Sequence, residues 1–471
     1  MKKFWKPEYL VSLAGCGLII YLLFVGPFIG VADNGDFLRM MNTIGLNYYD
    51  TAASYTDQFF NFSHSRFAYE NLFRGFYPSS QILVVLVPRL IGGLIHGSFF
   101  DVRLLGAVYG LLLLVATWLL VKYNARGSYV TGLLLGAAIL FVFYDIGYLA
   151  YFNSLFGEPV SMVFMLLTFA LGLRLTSQEK PTTKGLTLFF IAILFLVTSK
   201  IQNAPVGIAF ALIFLRFMTL DGERKWRKLA LRFSIAIFLV SIVMYVTAPK
   251  ELKHINLYQT VFFGILNESP DVKGDLQDLG LPERLEVLAG TNYFQTDTVI
   301  KQDDPSLVPD FYDRVSHKDV LFFYLKHPGR LIDNMEYAAS NSMAIRPYYL
   351  GNYEKSENKP AGALSYTYSG WSEFKNKYIP HTLGFLSLFY LLYFAGALFQ
   401  YFRSRDVRGR VAGELLMLLG LIGIFSFLVP ILGDGRADIG KHLFLFNVCF
   451  DMMVVVMFGW IVHKLVGIVR R

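Results

Sequence analysis

Charge is scarce in this sequence: Asp, Glu, Lys and Arg make up 17% of 471 residues. A water-soluble surface normally needs about a quarter, so three soluble domains of about 150 residues each are excluded despite the length. Cysteine is scarcer still. Cys16 and Cys449 both lie inside apolar runs, which leaves no disulfide framework. The eight histidines are scattered, and no His/Cys pair has zinc-ligand spacing. A P-loop, a dinucleotide glycine fingerprint, HExxH and G-x-S-x-G are all missing. These absences exclude a secreted enzyme, a disordered protein and a nucleic-acid-binding domain, so no nucleic-acid partner is expected.

What fills the chain is apolar. Hydrophobic residues reach 55%, with 44 Phe and 28 Tyr. They fall into eleven runs: 9–31, 79–97, 103–121, 129–147, 159–176, 186–199, 204–219, 230–247, 380–401, 412–432 and 442–463. A helical span needs about 20 such residues, so the chain reads as an all-α polytopic membrane protein. The short pair 186–199 and 204–219 reads as two helices joined tightly around Ser199–Asn203. Gly132 and Gly136 form a GxxxG, expected to serve close packing inside the bundle.

Run 79–97 is the exception, with Pro88 and Arg89 at its middle and His96 near its end. If it does not cross, ten spans remain and both termini share one side. That side then holds 21 of the 43 Lys and Arg, in the stretches around Lys6, Lys122, Lys180, Arg224–Arg232, Arg403–Arg410 and Lys464. The density there is about one in three residues, against about one in ten opposite, as the positive-inside rule requires. Run 79–97 is therefore expected as a re-entrant or interfacial helix on the outer face. Lys2, Lys3 and Lys6 ahead of the first run resemble the start of a signal peptide. The run is about 23 residues long and no A-x-A site follows, so a retained span is expected.

Three regions follow. Residues 1–247 form an N-terminal transmembrane module of seven spans, with a first outer loop at 32–102. Residues 248–379 form a large, polar, mainly helical outer segment, with helix starts expected near Pro282 and Ser316. Residues 380–471 carry spans eight to ten. The expected location is a cell membrane, with cytoplasmic termini and an extracytoplasmic active site.

Polar residues at the outer ends of spans are the candidates for chemistry. Asp33 and Asp36 lie three residues apart after span one, where a partly desolvated carboxylate suits a general base; a capped, solvated loop is the plainer alternative. Asp145, Asn153 and Glu158 lie between spans three and four. Asp145 falls inside an apolar run, where an acid is costly; Glu158 followed by Pro159 also suits an ordinary helix start. Lys200 at the tight hairpin suits a phosphate, or equally a snorkelling contact with lipid headgroups. Arg436, Lys441 and His442 follow Gly433 and Gly435, where backbone can approach an anion and cations can hold one. The alternative there is an Asp-Gly turn. Tyr348, Tyr349, Tyr353, Tyr366 and Trp371 can stack on sugar rings or form the core of the outer segment. A divalent cation, Mg²⁺ or Mn²⁺, would need oxygen ligands, for which Asp33 and Glu158 are the candidates.

An acidic motif after the first span, a second acid between spans three and four and a large outer segment after span seven together resemble the GT-C glycosyltransferases. The stretches DNGDFLRM (33–40), YFNSLFGEP (151–159), LGLPERLEVLAG (279–290), RPYYLGNYEKS (346–356) and GDGRADIGKHLFLFNVCFD (433–451) are similar, more narrowly, to WsfD-type hexose transferases of bacterial glycan biosynthesis. The resemblance implies an integral membrane enzyme moving a hexose from a polyprenyl-phosphate donor to a cell-surface glycan or lipid-linked acceptor. It implies a base in the first outer loop. Arg39, six residues on, selects Asp33; the Gly35-Asp36 pair selects Asp36. It also implies donor-phosphate contacts from Arg436, Lys441, His442, Lys200 and Arg39. A polysaccharide polymerase or ligase, and a lipid-linked glycan transporter, are the alternatives. Transporters usually place charge at the bilayer midplane, whereas here it lies at span ends.

Overall fold

A computed structural model describes residues 6–125 and 128–469. The basic residues Lys2, Lys3, Arg126, Arg470 and Arg471, counted above for topology, lie outside the described residues.

Each of the eleven apolar runs holds a helix. Seven are long and apolar enough to cross a membrane among the described residues: α1 (Pro7–Phe24), α4 (Arg103–Asn124), α7 (Glu158–Ser177), α10 (Arg224–Val246), α16 (Leu383–Arg403), α17 (Val407–Asp434) and α19 (Phe444–Val469). An eighth counts if α5 (Tyr129–Phe143) and α6 (Ile146–Leu149, with its continuation to Asn153) form one span, bent by 53°. Asp145 breaks it by taking the N-cap position of α6 and accepting from Gly147 N at 2.7 Å. Three apolar helices are shorter: α3 (Gln81–Ile95), α8 (Thr183–Val197) and α9 (Val206–Phe217). The expected hairpin is present, with a single 3₁₀ turn, Ile201–Asn203, between α8 and α9.

Glycine lets α5 lie on α1. A Cβ on Gly136 would come within 2.2 Å of Val11, and one on Gly132 within 2.8 Å of Pro7. The GxxxG therefore serves packing within the bundle, as expected. Helix α4 is wedged between α1 and α7, and α17 packs against α7, α16 and α19. A single apolar core runs through these helices.

The first outer loop forms α2 (Phe37–Ile44) and a small antiparallel sheet, β1 (Leu46–Tyr48), β2 (Arg66–Tyr69) and β3 (Phe100–Asp101), in that order. Residues 248–379, expected as one outer segment, are two structures. Residues between Leu257 and Tyr324, including α11 (Lys250–Thr260), α12 (Val272–Asp278) and α13 (His317–Lys326), bury a core of their own. Helix α13 starts at Ser316, whose side chain closes a capping box with Asp319. Beyond α14 (Pro328–Ser340), residues such as Met343, Ile345, Leu350 and Trp371 join the core of the bundle. Helix α15 (Gly370–Tyr378) leads back into α16.

Candidate active site

The turn after α1 separates its two carboxylates. Gly35 takes φ 101°, which allows the chain to fold back so that Asp33 Oδ1 accepts from Gly35 N at 2.8 Å and Phe37 N at 3.1 Å. The other oxygen accepts from the Tyr48 hydroxyl on β1. Asp33 is fully buried. Burial pushes its carboxyl above the usual range, with Tyr48 and the Phe37 N–H pulling the other way.

Asp36 faces the other way, from the N-cap of α2. Arg39 Nη1 lies 3.1 Å from it, and the Lys441 ammonium donates to it. Burial alone would raise its carboxyl. Lys441, Arg39 and Lys200 overcome that and hold it well below the ordinary carboxylate value. Asp36 therefore stays ionised near neutral pH.

Three distant segments meet Asp36. Lys441, on the short helix α18 (Ile439–His442), also donates to Asn34 Oδ1 at 2.9 Å and lies 4.3 Å over the Phe156 ring. Its charge is kept, against the cost of burial, by Asp36, Asp438 and Glu158. Glu158 opens α7, with Pro159 in its first turn, and pairs with Lys200 Nζ at 2.5 Å. The second oxygen of Glu158 is buried with no hydrogen-bond partner. Buried acceptors are rarely left so. The small cleft between these groups is lined by Asp36, Arg39, Tyr77, Phe156, Glu158 and Lys200. Two carboxylates and two cations face it, and the buried Lys441 stands behind Asp36.

Of the expected residues, the fold thus gathers Asp36, Arg39, Glu158, Lys200 and Lys441. His442 stands beside them, paired with Asp434 at 2.8 Å and with Gln202 Oε1 at 3.3 Å. Burial lowers its affinity for a proton, but Asp434 and Asp438 more than restore it.

The others turn elsewhere. Arg436, expected beside a phosphate, reaches the outer segment: Glu268 at 2.6 Å, Asn334 at 2.9 Å and the Tyr337 ring at 4.7 Å. Asn153 braces the end of α1 through the Ile29 carbonyl at 2.9 Å. Asp145 accepts from Trp371 N and Ser372 N at 2.9 and 3.0 Å, fastening α15 to the bundle. The carboxylates expected to hold a cation do not fit one. Asp33 spends its oxygens on Tyr48 and two backbone N–H groups, and Glu158 pairs with Lys200. Among the described residues, no group of three or more His, Cys, Asp or Glu side chains is placed to hold a metal ion.

Sequence reasoning missed Asn34, Asp438 and Gln81, and gave Tyr349 a stacking or core role without its contact to Asp438. Asn34 bridges Lys441 and Asp438, the latter at 3.2 Å, and Tyr349 donates to Asp438. Gln81 donates to the Leu155 and Phe156 carbonyls at 2.7 and 2.8 Å, fixing the loop that carries Phe156 and leads into Glu158. Asn34 and Asp438 stood inside motifs already singled out; nothing local signalled Gln81.

The family model described as YfdI N-terminal transmembrane domain matches residues 1–471, and the chain belongs to that family. A comparison with curated proteins finds no match.

Proposed function

We propose that this member of the YfdI family is a membrane glycosyltransferase of GT-C type, close to the WsfD-type hexose transferases. It moves a hexose from a polyprenyl-phosphate donor to a cell-surface glycan or lipid-linked acceptor. One observation carries the reading: an ionised Asp36 beside a cleft lined by cations, at the end of spans where a membrane-borne donor and an aqueous acceptor meet.

In this reading Arg39 and Lys200 take the donor phosphate, which draws their charge away from Asp36. Lys441 stays on Asp36 and orients it. The acceptor hydroxyl attacks the anomeric carbon, its proton passes to Asp36, and the bond from that carbon to the phosphate oxygen breaks. The phosphate leaves with the bonding pair, and the anomeric configuration inverts. The unpartnered oxygen of Glu158 is the acceptor for a sugar hydroxyl that reaches past Lys200. The cations supply the neutralisation that the leaving phosphate needs, and no step runs through a metal.

Asp36→Asn is nearly isosteric but cannot take up the proton. General-base catalysis contributes about 10²–10⁴ in rate. Turnover of polyprenyl-phosphate glucose or mannose by the purified variant is expected to fall by about that factor, with folding intact. Near-normal turnover in both this variant and Asp33→Asn would remove the base from this loop and put the transporter reading ahead.

We place the cleft on the extracytoplasmic side of a bacterial cell membrane, with cytoplasmic termini. Twenty residues of α7 separate Glu158 from the basic end, about 30 Å at 1.5 Å per residue, which matches a hydrocarbon core. Lys180 and Arg408 line a second cavity at that far end. An impermeant thiol reagent applied to intact cells is expected to label Lys301→Cys and spare Lys225→Cys. The reverse pattern would invert the assignment.

A further inference from the structure

The chemistry assigned to Asp36 leaves a group of aromatic rings beside it unused. Phe60 takes φ 70° and ψ −51°, a conformation that a non-glycine residue holds only when its surroundings fix it. Two hydrogen bonds fix it here. Phe60 N donates to the Asp33 carbonyl at 2.8 Å, and Gly351 N donates to the Phe60 carbonyl at 2.8 Å. The strained residue is thus stitched between the catalytic turn and the outer segment.

Strain of this kind presents the ring. Phe60 lies 6.3 Å from Tyr55 on one side and 6.3 Å from Tyr349 on the other, and Tyr349 lies 6.0 Å from Tyr348. Four rings from two distant segments form a row, each tilted or edge-on to the next. Its edges are open, with Tyr55 70% and Tyr348 82% exposed. Its inner end is tied to the cleft, because Tyr349 donates to Asp438, Asp438 accepts from Asn34, and Asn34 accepts from Lys441 beside Asp36.

We propose that this surface is a saccharide-stacking subsite, on which pyranose rings of the acceptor glycan lie as their hydroxyl is delivered to Asp36. The proposal rests on the reading of Asp36 as the base of a hexose transfer. A pyranose presents C–H bonds on its flat face, and an aromatic face is electron-rich. Tyrosine hydroxyls add contacts to sugar hydroxyls at the same edge. The company of the rings argues for sugar over lipid. Beside them are the Asp57–Lys355 pair at 2.8 Å and the side chain of Asn61, bonded to Asp57 at 3.3 Å. The exposed face of α3, by contrast, is aliphatic: Leu83, Val87, Leu90, Ile91 and Leu94.

The test uses full-length protein in nanodiscs and, as probe, lipid-free surface polysaccharide from the producing cell. Saturation-transfer NMR reads binding without catalysis. Native protein and Asp36→Asn are both expected to transfer saturation to sugar C–H protons. The Tyr55→Ala/Tyr348→Ala double variant is expected to bind about tenfold more weakly, as loss of aromatic anchors commonly brings. Tyr55→Phe/Tyr348→Phe keeps the rings and is expected to retain most of the affinity. Native-like binding by the alanine variant overturns the subsite, as does absence of binding by the native protein. So does a change in nanodisc insertion with glycan binding unchanged, which would make the rings an interfacial belt. Failure of the base reading shows separately, as preserved turnover in Asp36→Asn.

Discussion

Two acid–lysine clusters lie at span ends, and they differ in what they leave open. In the cleft, Asp36 is 29% exposed, Arg39 40%, and one oxygen of Glu158 has no partner. In the other cluster, Asp451 on α19 and Lys375 on α15 are both sealed at 0%. Asp451 there accepts from Lys375 at 2.7 Å, Tyr148 at 2.6 Å and Trp371 Nε1 at 2.9 Å. Trp371 and Ser372 are held again, through their backbone, by Asp145. The sealed cluster anchors the outer segment in the bundle. An intramembrane acid is a functional candidate by default, but burial alone does not distinguish a site from a rivet. The distinction lies in solvent access and in acceptors left for a ligand.

The comparison is broken most severely from its sealed side. Lys375→Ala leaves Asp451 charged and uncompensated in the core, which typically costs about 3–5 kcal/mol. A marked fall in the melting temperature of the purified protein is expected. Replacing both partners, as Asp451→Leu with Lys375→Met, is expected to restore only part of it, because Tyr148 and Trp371 then lose their acceptor. A Lys375→Ala protein that melts like the native one would show that this cluster anchors nothing.

The open side is expected to respond in function before stability. Arg39→Ala and Lys200→Ala each remove a charge-assisted contact to the donor phosphate, worth about 1.5–3 kcal/mol or roughly 10- to 150-fold. Donor KM is expected to rise by that factor. The melting temperature is expected to move little in Arg39→Ala, whereas Lys200→Ala also leaves the buried Glu158 without its cation and is expected to lower it. Lys441 is buried and shared between Asp36 and Asn34, so Lys441→Ala is expected to lower both turnover and melting temperature. Unchanged donor kinetics in the Arg39 and Lys200 variants would remove the cleft from the donor site.

The same contrast explains what the sequence revealed. Length and hydropathy are local properties, so every apolar run produced its helix, and the hairpin at Ser199–Asn203 and the packing role of Gly132 and Gly136 were legible. The site was legible as a set of span-end motifs, because charge is costly there and stands out. Roles within each motif were not. Asp33 and Asp36 are separated by a turn that Gly35 permits, and their partners, Tyr48 on one side and Lys441 on the other, come from tertiary contacts. Asp145 carried the same signal as Asp36, and only its partners show it to be structural. The strained Phe60 left no trace in composition, since the stitch that holds it joins residues 33, 60 and 351.

The smallest effect tests the boundary of the cleft. Arg436 stands five residues from Lys441 and carries the same charge, but its guanidinium turns to Asn334 and to a Glu268 that is three-quarters exposed. Arg436→Gln can still hydrogen-bond Asn334. It gives up an ion pair with a solvated carboxylate, commonly worth less than about 1 kcal/mol. Stability is therefore expected to fall only slightly, and donor KM to stay at the native value. If donor KM instead rises as in Lys200→Ala, the loop must turn inward when donor binds, and Arg436 belongs with the cations of the cleft.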